Sequence, residues 1–382
     1  MSLSTLADAC SPMSSNIAQK DLVGHKGQYP IYGASGLIGF VNFYKQEQQY
    51  IAVVKDGAGI GRVFSLPPYS SVIGTMQYLL PKDSIDVNYL YYAVQFMHLE
   101  KYYTGSTIPH IYFKDYKHEP LNIPSRNKQQ EISSILILVD KAIDTLHAQI
   151  THLEELVKSR FIELFGDPHH STLYPYRKVK DFTEVRSGGT PSRKLESYWK
   201  GGDVRWVKTT ELRNNEIYDT EEKITTEAVE HSSAKIVPQD TILIAMYGQG
   251  RTRGMTAYLK VESTTNQACA CILPAEGINQ KYLWHFFILS YEELRNLAQG
   301  AGQPNLTGDM IKNFSVLMPP LALQNEFAAF VEQADKSKFA VLMHRQILLK
   351  TALLSAMFSS YTNSDRRICK SLHRRSVDND EL

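Results

Sequence analysis

Charge of one sign is what this 382-residue chain most lacks: 41 Lys and Arg stand against 40 Asp and Glu, a formal net charge of +1. A chain-wide pull toward polyanions is thereby excluded, and contact with phosphates requires Lys and Arg gathered on one face. Cysteine is nearly as scarce. Cys10, Cys269, Cys271 and Cys369 form no CxxC pair, so neither a disulfide framework nor a zinc site is expected, and the expected compartment is a reducing cytoplasm. No apolar run approaches the ~20 residues that span a bilayer. Nor does the Met1-Ser2-Leu3 start place a basic segment before an apolar one, so no signal peptide is expected. A GxxxxGK(S/T) phosphate loop, an HExxH metal pair and a GxSxG nucleophile elbow are also missing. The histidines are dispersed. What remains is ordinary: 43% hydrophobic and 21% charged residues, in a length that accommodates two or three domains.

The chain does, however, repeat itself. Thr107–Pro124 reads TIPHIYFKDYKHEPLNIP and Gly302–Pro319 reads GQPNLTGDMIKNFSVLMP, so that Pro109 falls on Pro304 at an offset of 304 − 109 = 195. The same offset relates Gln129 to Gln324, Glu131 to Glu326, and Asp140-Lys141 to Asp335-Lys336. A period this long excludes a solenoid. It describes two related halves, each a globular domain followed by a long helix.

In the first half, Ile132, Leu136, Val139, Ile143, Leu146, Ile150, Leu153 and Val157 alternate in steps of four and three before Phe161 and Leu164, the heptad seam of a coiled coil. Over 132–164 that is a rod of roughly 50 Å, stopped by Gly166-Asp167-Pro168. Its seam needs a partner helix. The second half supplies Phe327, Val331, Ala334, Phe339, Leu342, Leu349 and Leu353, with Lys338 and Gln346 intruding. Lys158 aligns best with Lys350, an offset of 192, and this three-residue slip predicts local overwinding. Helices packed separately on their own domains are the plainer alternative. Antiparallel pairing would instead put two heads at opposite ends of one rod, a geometry suited to duplex DNA, which repeats every ~34–36 Å.

Each head reads as mixed α/β. Tyr50–Val54 runs into Lys55-Asp56-Gly57-Ala58-Gly59-Ile60-Gly61-Arg62, and Thr241–Ala245 runs into Met246-Tyr247-Gly248-Gln249-Gly250-Arg251-Thr252-Arg253-Gly254. A buried strand followed by a Gly-rich, Arg-bearing loop lets backbone approach a phosphate and lets Arg grip phosphate or guanine. Gly27–Gly36 with Tyr32 and Ser35, and Ser187–Lys194 with Thr190, Ser192 and Arg193, mix hydroxyls, aromatics and cations. Trp206 and Lys208-Thr209-Thr210 follow the latter. Such mixtures suit sugar, phosphate and base contacts. Ordinary turns over core aromatics remain the alternative. Gly57-Ala58-Gly59-Ile60-Gly61 with Leu66-Pro67-Pro68-Tyr69 invites a methyltransferase reading, but Leu66 stands where a hydrogen-bond acceptor is needed, and no cofactor domain separates the two motifs. No catalysis is expected of this chain.

The order of Ser187-Gly188-Gly189-Thr190-Pro191-Ser192, Tyr198-Trp199, Trp206, Gly248-Gln249-Gly250, Asn266-Gln267-Ala268-Cys269, Gln303-Pro304-Asn305-Leu306 and Met318-Pro319-Pro320 before Gln324-Asn325-Glu326 resembles the specificity subunit of Type I restriction-modification enzymes. Tyr29–Gly36 is similar to a variant of that family's recognition domain, and Ile108-Pro109-His110 departs from it where the second half has Gln303-Pro304-Asn305. The resemblance implies an α+β chain with a first target recognition domain (1–124), first spacer helix (125–168), second recognition domain (169–318), second spacer helix (319–361) and a tail (362–382), whose polar composition predicts disorder. It also implies double-stranded DNA as target, with each head reading one half of a bipartite site. Two modification subunits would dock on the helices and a restriction subunit would join them. S-adenosylmethionine, ATP and magnesium would then belong to partners, with no cofactor in this chain. The DNA-contact candidates are Tyr32, Ser35, Lys55, Arg62 and His110 in one head, and Thr190, Ser192, Arg193, Lys208, Thr209, Tyr247, Gln249, Arg251 and Arg253 in the other. A duplicated coiled-coil scaffold binding proteins is the reading from another class, and a self-contained methyltransferase or nuclease a third.

Overall fold

The computed structural model describes residues 4–22, 24, 26–105, 108–248, 250–298 and 305–359, with side chains through 348. Contacts divide the chain into two units. One comprises the residues up to His147 with the segment from Leu342; the other is Ala148–Val341.

In the first unit an antiparallel four-stranded sheet runs in the order Cys10–Ser14, Met76–Pro81, Tyr50–Val54, Val63–Leu66. All five residues of Tyr50–Val54 are buried, as a strand covered on both faces demands, and its unbroken apolar run replaces the usual alternation. A three-stranded sheet places Tyr29–Gly33 between Gly36–Val41 and Ser71–Val72, the latter pair parallel. Ser4–Thr5 pairs with Pro120–Leu121.

The second unit repeats the plan with different lengths. Val185–Ser187, Cys269–Ile272, Ile242–Ala245, Thr256–Leu259 and Asn215–Ile217 form five strands, the last joined in parallel. Val204–Val207 lies between Glu222–Ile224 and Thr264–Thr265, and Tyr176–Lys178 pairs with Ser315–Leu317.

The 195-residue offset has a structural cause. Gln129 and Gln324, both 1% exposed, make matching hydrogen bonds. Gln129 Oε1 accepts the Asp86 N–H at 2.8 Å and its Nε2 donates to the Pro124 carbonyl at 2.9 Å. Gln324 does the same with the Asn279 N–H and the Pro319 carbonyl, both at 2.8 Å. Asp86 and Asn279 are the N-caps of the Val87–Phe96 and Gln280–Leu289 helices, where a side-chain oxygen satisfies free amides of the first turn. One turn on, the Tyr89 and Tyr282 hydroxyls donate to the Asn122 and Leu317 carbonyls at 2.6 and 2.8 Å. Buried polar groups are costly unless paired, so these positions resist change while the surfaces around them diverge.

The long helices span Arg126–Phe165 and Leu321–Ser359, the first stopped at Gly166, whose φ of +77° suits glycine. Ile132, Leu136, Val139, Ile143, Leu146, Ile150, Leu153 and Val157 are each half-buried, and Phe161 and Phe165 are fully buried. In the second unit Phe161 lies 5.6 Å from Tyr282, stacked with nearly parallel planes, and 5.3 Å from Phe327 edge-on. Glu154 pairs with Lys338, and Arg160 with Glu326 at 2.6 Å.

The seam of the second helix differs from the sequence expectation. Phe327 and Val331 are buried, but Phe339 is 65% and Leu342 38% exposed; the Leu349 side chain lies outside the described residues. Among the covered positions, which also include 328, 330 and 337, the run 327, 331, 334, 338, 341, 345 and 348 keeps the heptad spacing. These steps of four and three continue without a slip, so the expected three-residue stammer does not occur in this stretch. Lys338 and Arg345 occupy two of the positions. The stem of Lys338 covers the seam while its ammonium pairs with Glu154, and Arg345 is half-buried, whereas a bare hydrophobicity pattern skips to the neighbouring Phe339.

Candidate nucleic-acid interface

In the first unit three segments meet at the end of Tyr50–Val54. Gly57, Gly59 and Gly61 adopt φ of +86°, +92° and +83°, conformations open to glycine at no steric cost. They turn the chain back so that Val54 bonds to Arg62 and Gly61. The Gly57 N–H donates to the Pro109 carbonyl at 2.9 Å, and the Ile111 N–H to the Lys55 carbonyl at 2.9 Å, bringing His110 beside the loop. Arg62 Nη1 lies 3.5 Å from the Ala34 carbonyl, next to Ser35 at the tip of the Tyr29–Gly33 and Gly36–Val41 hairpin. Arg62 and Ser35 are exposed.

Lys55 and His110 are less free. Lys55 Nζ is 2.8 Å from Asp56 Oδ2 and His110 Nδ1 2.7 Å from Asp56 Oδ1, so one carboxylate engages both. Tyr32 is half-buried, and burial pushes its phenol pKa up. The pattern of Lys, Arg and Gly did not single out Asp56. Nor did it single out Tyr112, exposed, stacked 6.4 Å from His110 and with Lys114 Nζ 5.3 Å from its ring.

The second unit builds the same frame. The Leu306 N–H donates to the Met246 carbonyl at 3.0 Å, as Ile111 does to Lys55, and the Ala245 N–H bonds to Met255 at 2.9 Å, as Val54 does to Arg62. Asn305 and Tyr247 therefore stand where the first unit has His110 and Asp56. Tyr247 and Arg251 are exposed; Gln249 lies outside the described residues. The loop is braced from the Tyr291–Leu297 helix, with Arg295 Nη1 donating to the carbonyls of Gly250 and Arg253 and the Tyr291 hydroxyl to that of Arg251. Arg253 is itself half-buried.

Beside it, Gly188 and Gly189 pass against Thr265, Asn266 and Ser233 so closely that a Cβ on Gly188 would lie 2.1 Å from Thr265 Oγ1. This contact leads the chain to Thr190, exposed and donating to Gln267, and to Ser192, exposed, whose carbonyl accepts the Trp199 indole N–H at 3.1 Å.

Arg193 is exposed but engaged by neighbours of its own head. Its guanidinium lies 3.6 Å over Trp199 and 5.0 Å from Trp206 and pairs with Glu222. Lys208 pairs with Glu221 and Glu222, and the hydrogen bond to Glu221 pushes its pKa up. Thr209 starts the short turn after it, half-buried. The exposed candidates of the two loop clusters are thus Ser35, Arg62, Thr190, Ser192, Tyr247 and Arg251, together with Arg193 in its ion pair with Glu222. Hydroxyls, a phenol and guanidiniums can grip phosphate and hydrogen-bond base edges. Among the described residues no group of three or more His, Cys, Asp or Glu could hold a metal ion, and no helix is long and apolar enough to cross a membrane.

The sequence matches the model of the Type I restriction modification DNA specificity domain twice, over residues 4–155 and 174–350. It is 34% identical over 182 residues to the specificity subunit of the Type I restriction enzyme MjaIX of Methanocaldococcus jannaschii, covering 46% of this chain and 41% of that one. Against the specificity subunit of a Type I restriction enzyme of Escherichia coli it is 31% identical over 150 residues, 39% of this chain and 37% of that one. The matches therefore span less than half the length of these relatives. The crystal structure of a Type I restriction-modification S subunit from M. genitalium shares the fold, with a TM-score of 0.57 at 16% identity over 91% of this chain and 95% of that one. With both of its heads and most of both long helices inside the matched segments, the chain belongs to the Type I restriction-modification DNA specificity family.

Proposed function

We propose that this chain is the non-catalytic DNA-recognition subunit of a Type I restriction-modification complex, its two heads reading the two halves of a bipartite, asymmetric site. The observation that carries this is one backbone frame bearing two chemistries: Lys55, Asp56 and His110 in one head stand where Met246, Tyr247 and Asn305 stand in the other. Two readers of equal frame and unequal surface suit two unequal half-sites. The outward residues Ser35, Arg62, Thr190, Ser192, Tyr247 and Arg251 make the contacts, while Lys55, His110, Arg193 and Lys208 hold the loops that present them. Domain limits follow the sequence reading: heads 1–124 and 169–318, spacer helices 125–168 and 319–361, tail 362–382.

The long helices act as an antiparallel spacer. Partner numbers fall along the second helix as they rise along the first, from Glu154 with Lys338 to Arg160 with Glu326, which supports that direction. Two modification subunits dock on this spacer in the cytoplasm, and a restriction subunit joins them. S-adenosylmethionine, ATP and magnesium are bound by those partners. Removing one heptad from the Ile132–Leu164 segment together with one from the opposing helix shortens the spacer by ~10 Å, about three base pairs at ~3.4 Å each. Methylation mapping of cells carrying the variant should show the gap between half-sites shortened by that amount; an unchanged gap defeats the spacer role.

A further inference from the structure

We infer that Gln129 and Gln324 are positioning residues that hold each head at a fixed angle to the long helix following it, and that this angle limits which gaps between half-sites are accepted. The second clause rests on the bipartite reading above.

Each glutamine is buried with both the oxygen and the nitrogen of its amide hydrogen-bonded. Gln129 takes the Asp86 N–H and donates to the carbonyls of Ser84 at 3.1 Å and Pro124 at 2.9 Å; Gln324 joins the Asn279 N–H to the Pro319 carbonyl. A side chain kept there for packing alone would be apolar, because methionine or leucine fills the volume without desolvating an amide. Polar groups beside each glutamine reinforce the joint: Ser133 Oγ donates to Asp86 Oδ1 at 3.2 Å, and Asn279 Nδ2 to Asn325 Oδ1 at 2.9 Å.

Eleven residues farther along each helix stands an aspartate. Asp140 accepts the Tyr92 hydroxyl at 2.7 Å, and Asp335 pairs with Lys281 Nζ at 3.2 Å. Tyr92 and Lys281 lie on the two helices that Asp86 and Asn279 cap. Eleven residues are three helical turns, ~16 Å. Head and helix are therefore joined at two points on one face, a bracket that removes the swivel a single joint would allow. Asp86, Gln129 and Asp140 have their counterparts in Asn279, Gln324 and Asp335, although the group meeting the aspartate has changed from a tyrosine to a lysine.

The test uses the full chain assembled with its modification subunits. Nitroxides at Lys114→Cys in the head and Asp144→Cys on the helix, in a Cys369→Ser background, report the width of the head-to-helix distance distribution. Methylation of duplexes with the native gap and with one base pair more or less reports gap preference. Gln129→Met should broaden the distribution and lower the preference for the native gap about tenfold, since a buried amide N–H is left unpaired. Leu66→Ala, in the core cluster on the face of the same head's sheet opposite the Val87–Phe96 helix, should lower thermal stability and leave both readouts unchanged. If Gln129→Met lowers stability but keeps the wild-type width and gap preference, the bracket is only structural and the inference falls. A wild-type complex indifferent to the gap overturns the bipartite reading itself. The label distances then judge the joint alone: broadening in Gln129→Met sustains it, and an unchanged width overturns it.

Discussion

Replacing His285 with phenylalanine should flatten the acid sensitivity of the second unit. The imidazole sits on the Gln280–Leu289 helix, 5.2 Å from the Trp284 ring and 5.6 Å from Phe327, and its Nε2 has no hydrogen-bond partner among the described residues. Burial first, then the positive charges of Lys281 and Lys338, push its pKa from 6.5 down to about 3, against the opposing pull of Glu216. In the unfolded chain the ring takes up a proton below about 6.5, whereas the folded protein refuses one until about 3. Acid therefore favours the unfolded state: the contribution is fully present above the unfolded value and is lost as pH falls toward the folded one. Between pH 7 and pH 5 the difference in bound protons amounts to about 2 kcal/mol. The three tryptophans, Trp199, Trp206 and Trp284, all lie within Ala148–Val341, so tryptophan fluorescence in urea follows this unit alone. His285→Phe keeps the ring contacts and removes the titration, and every other group titrates equally in both proteins. Wild type should lose about 2 kcal/mol more than the variant between the two pH values. A difference below about 0.5 kcal/mol would refute the burial argument.

Gly188→Ala should cost the second head at least ~3 kcal/mol, because the added methyl lies 2.1 Å from Thr265 Oγ1 and 2.2 Å from the Asn266 carbonyl; the fluorescence midpoint of that unit measures it, and a wild-type midpoint would show that the loop can move aside. On the second long helix, Phe339→Ser should change stability by less than about 0.5 kcal/mol, whereas Val331→Ala, which empties a buried seam position, should cost about 2 kcal/mol. Thermal denaturation of the two variants side by side decides it, and the reverse ranking would restore Phe339 to the seam.

Much of the frame was legible without coordinates because it depends on period and offset. The first helix announces itself through Ile132 to Val157, since seven-residue spacing survives any surface decoration. The duplication is visible because Gln129 and Gln324 cannot be exchanged without stranding buried amides. The second seam departs from its sequence pattern where Lys338 and Arg345 take positions that a hydrophobicity pattern reserves for apolar residues; long cations are amphipathic, and only the packed helix shows which part is covered. The loops were harder still. Arg193 and Lys208 prove to lie beside Glu222 and Glu221, and Lys55 and His110 on either side of Asp56, neighbours that no spacing in the sequence names.

The sequence by itself determined that the chain is a duplicated pair of α/β heads, each leading into a long heptad helix, because hydrophobic period, turn chemistry and repeated buried polar positions are local or regularly spaced. Only the tertiary structure decided which cations are spent on neighbouring carboxylates and which loop tips face outward. Those outcomes depend on residues such as Arg193 and Glu222, 29 positions apart in the chain, meeting within hydrogen-bonding distance, and no spacing rule encodes that meeting.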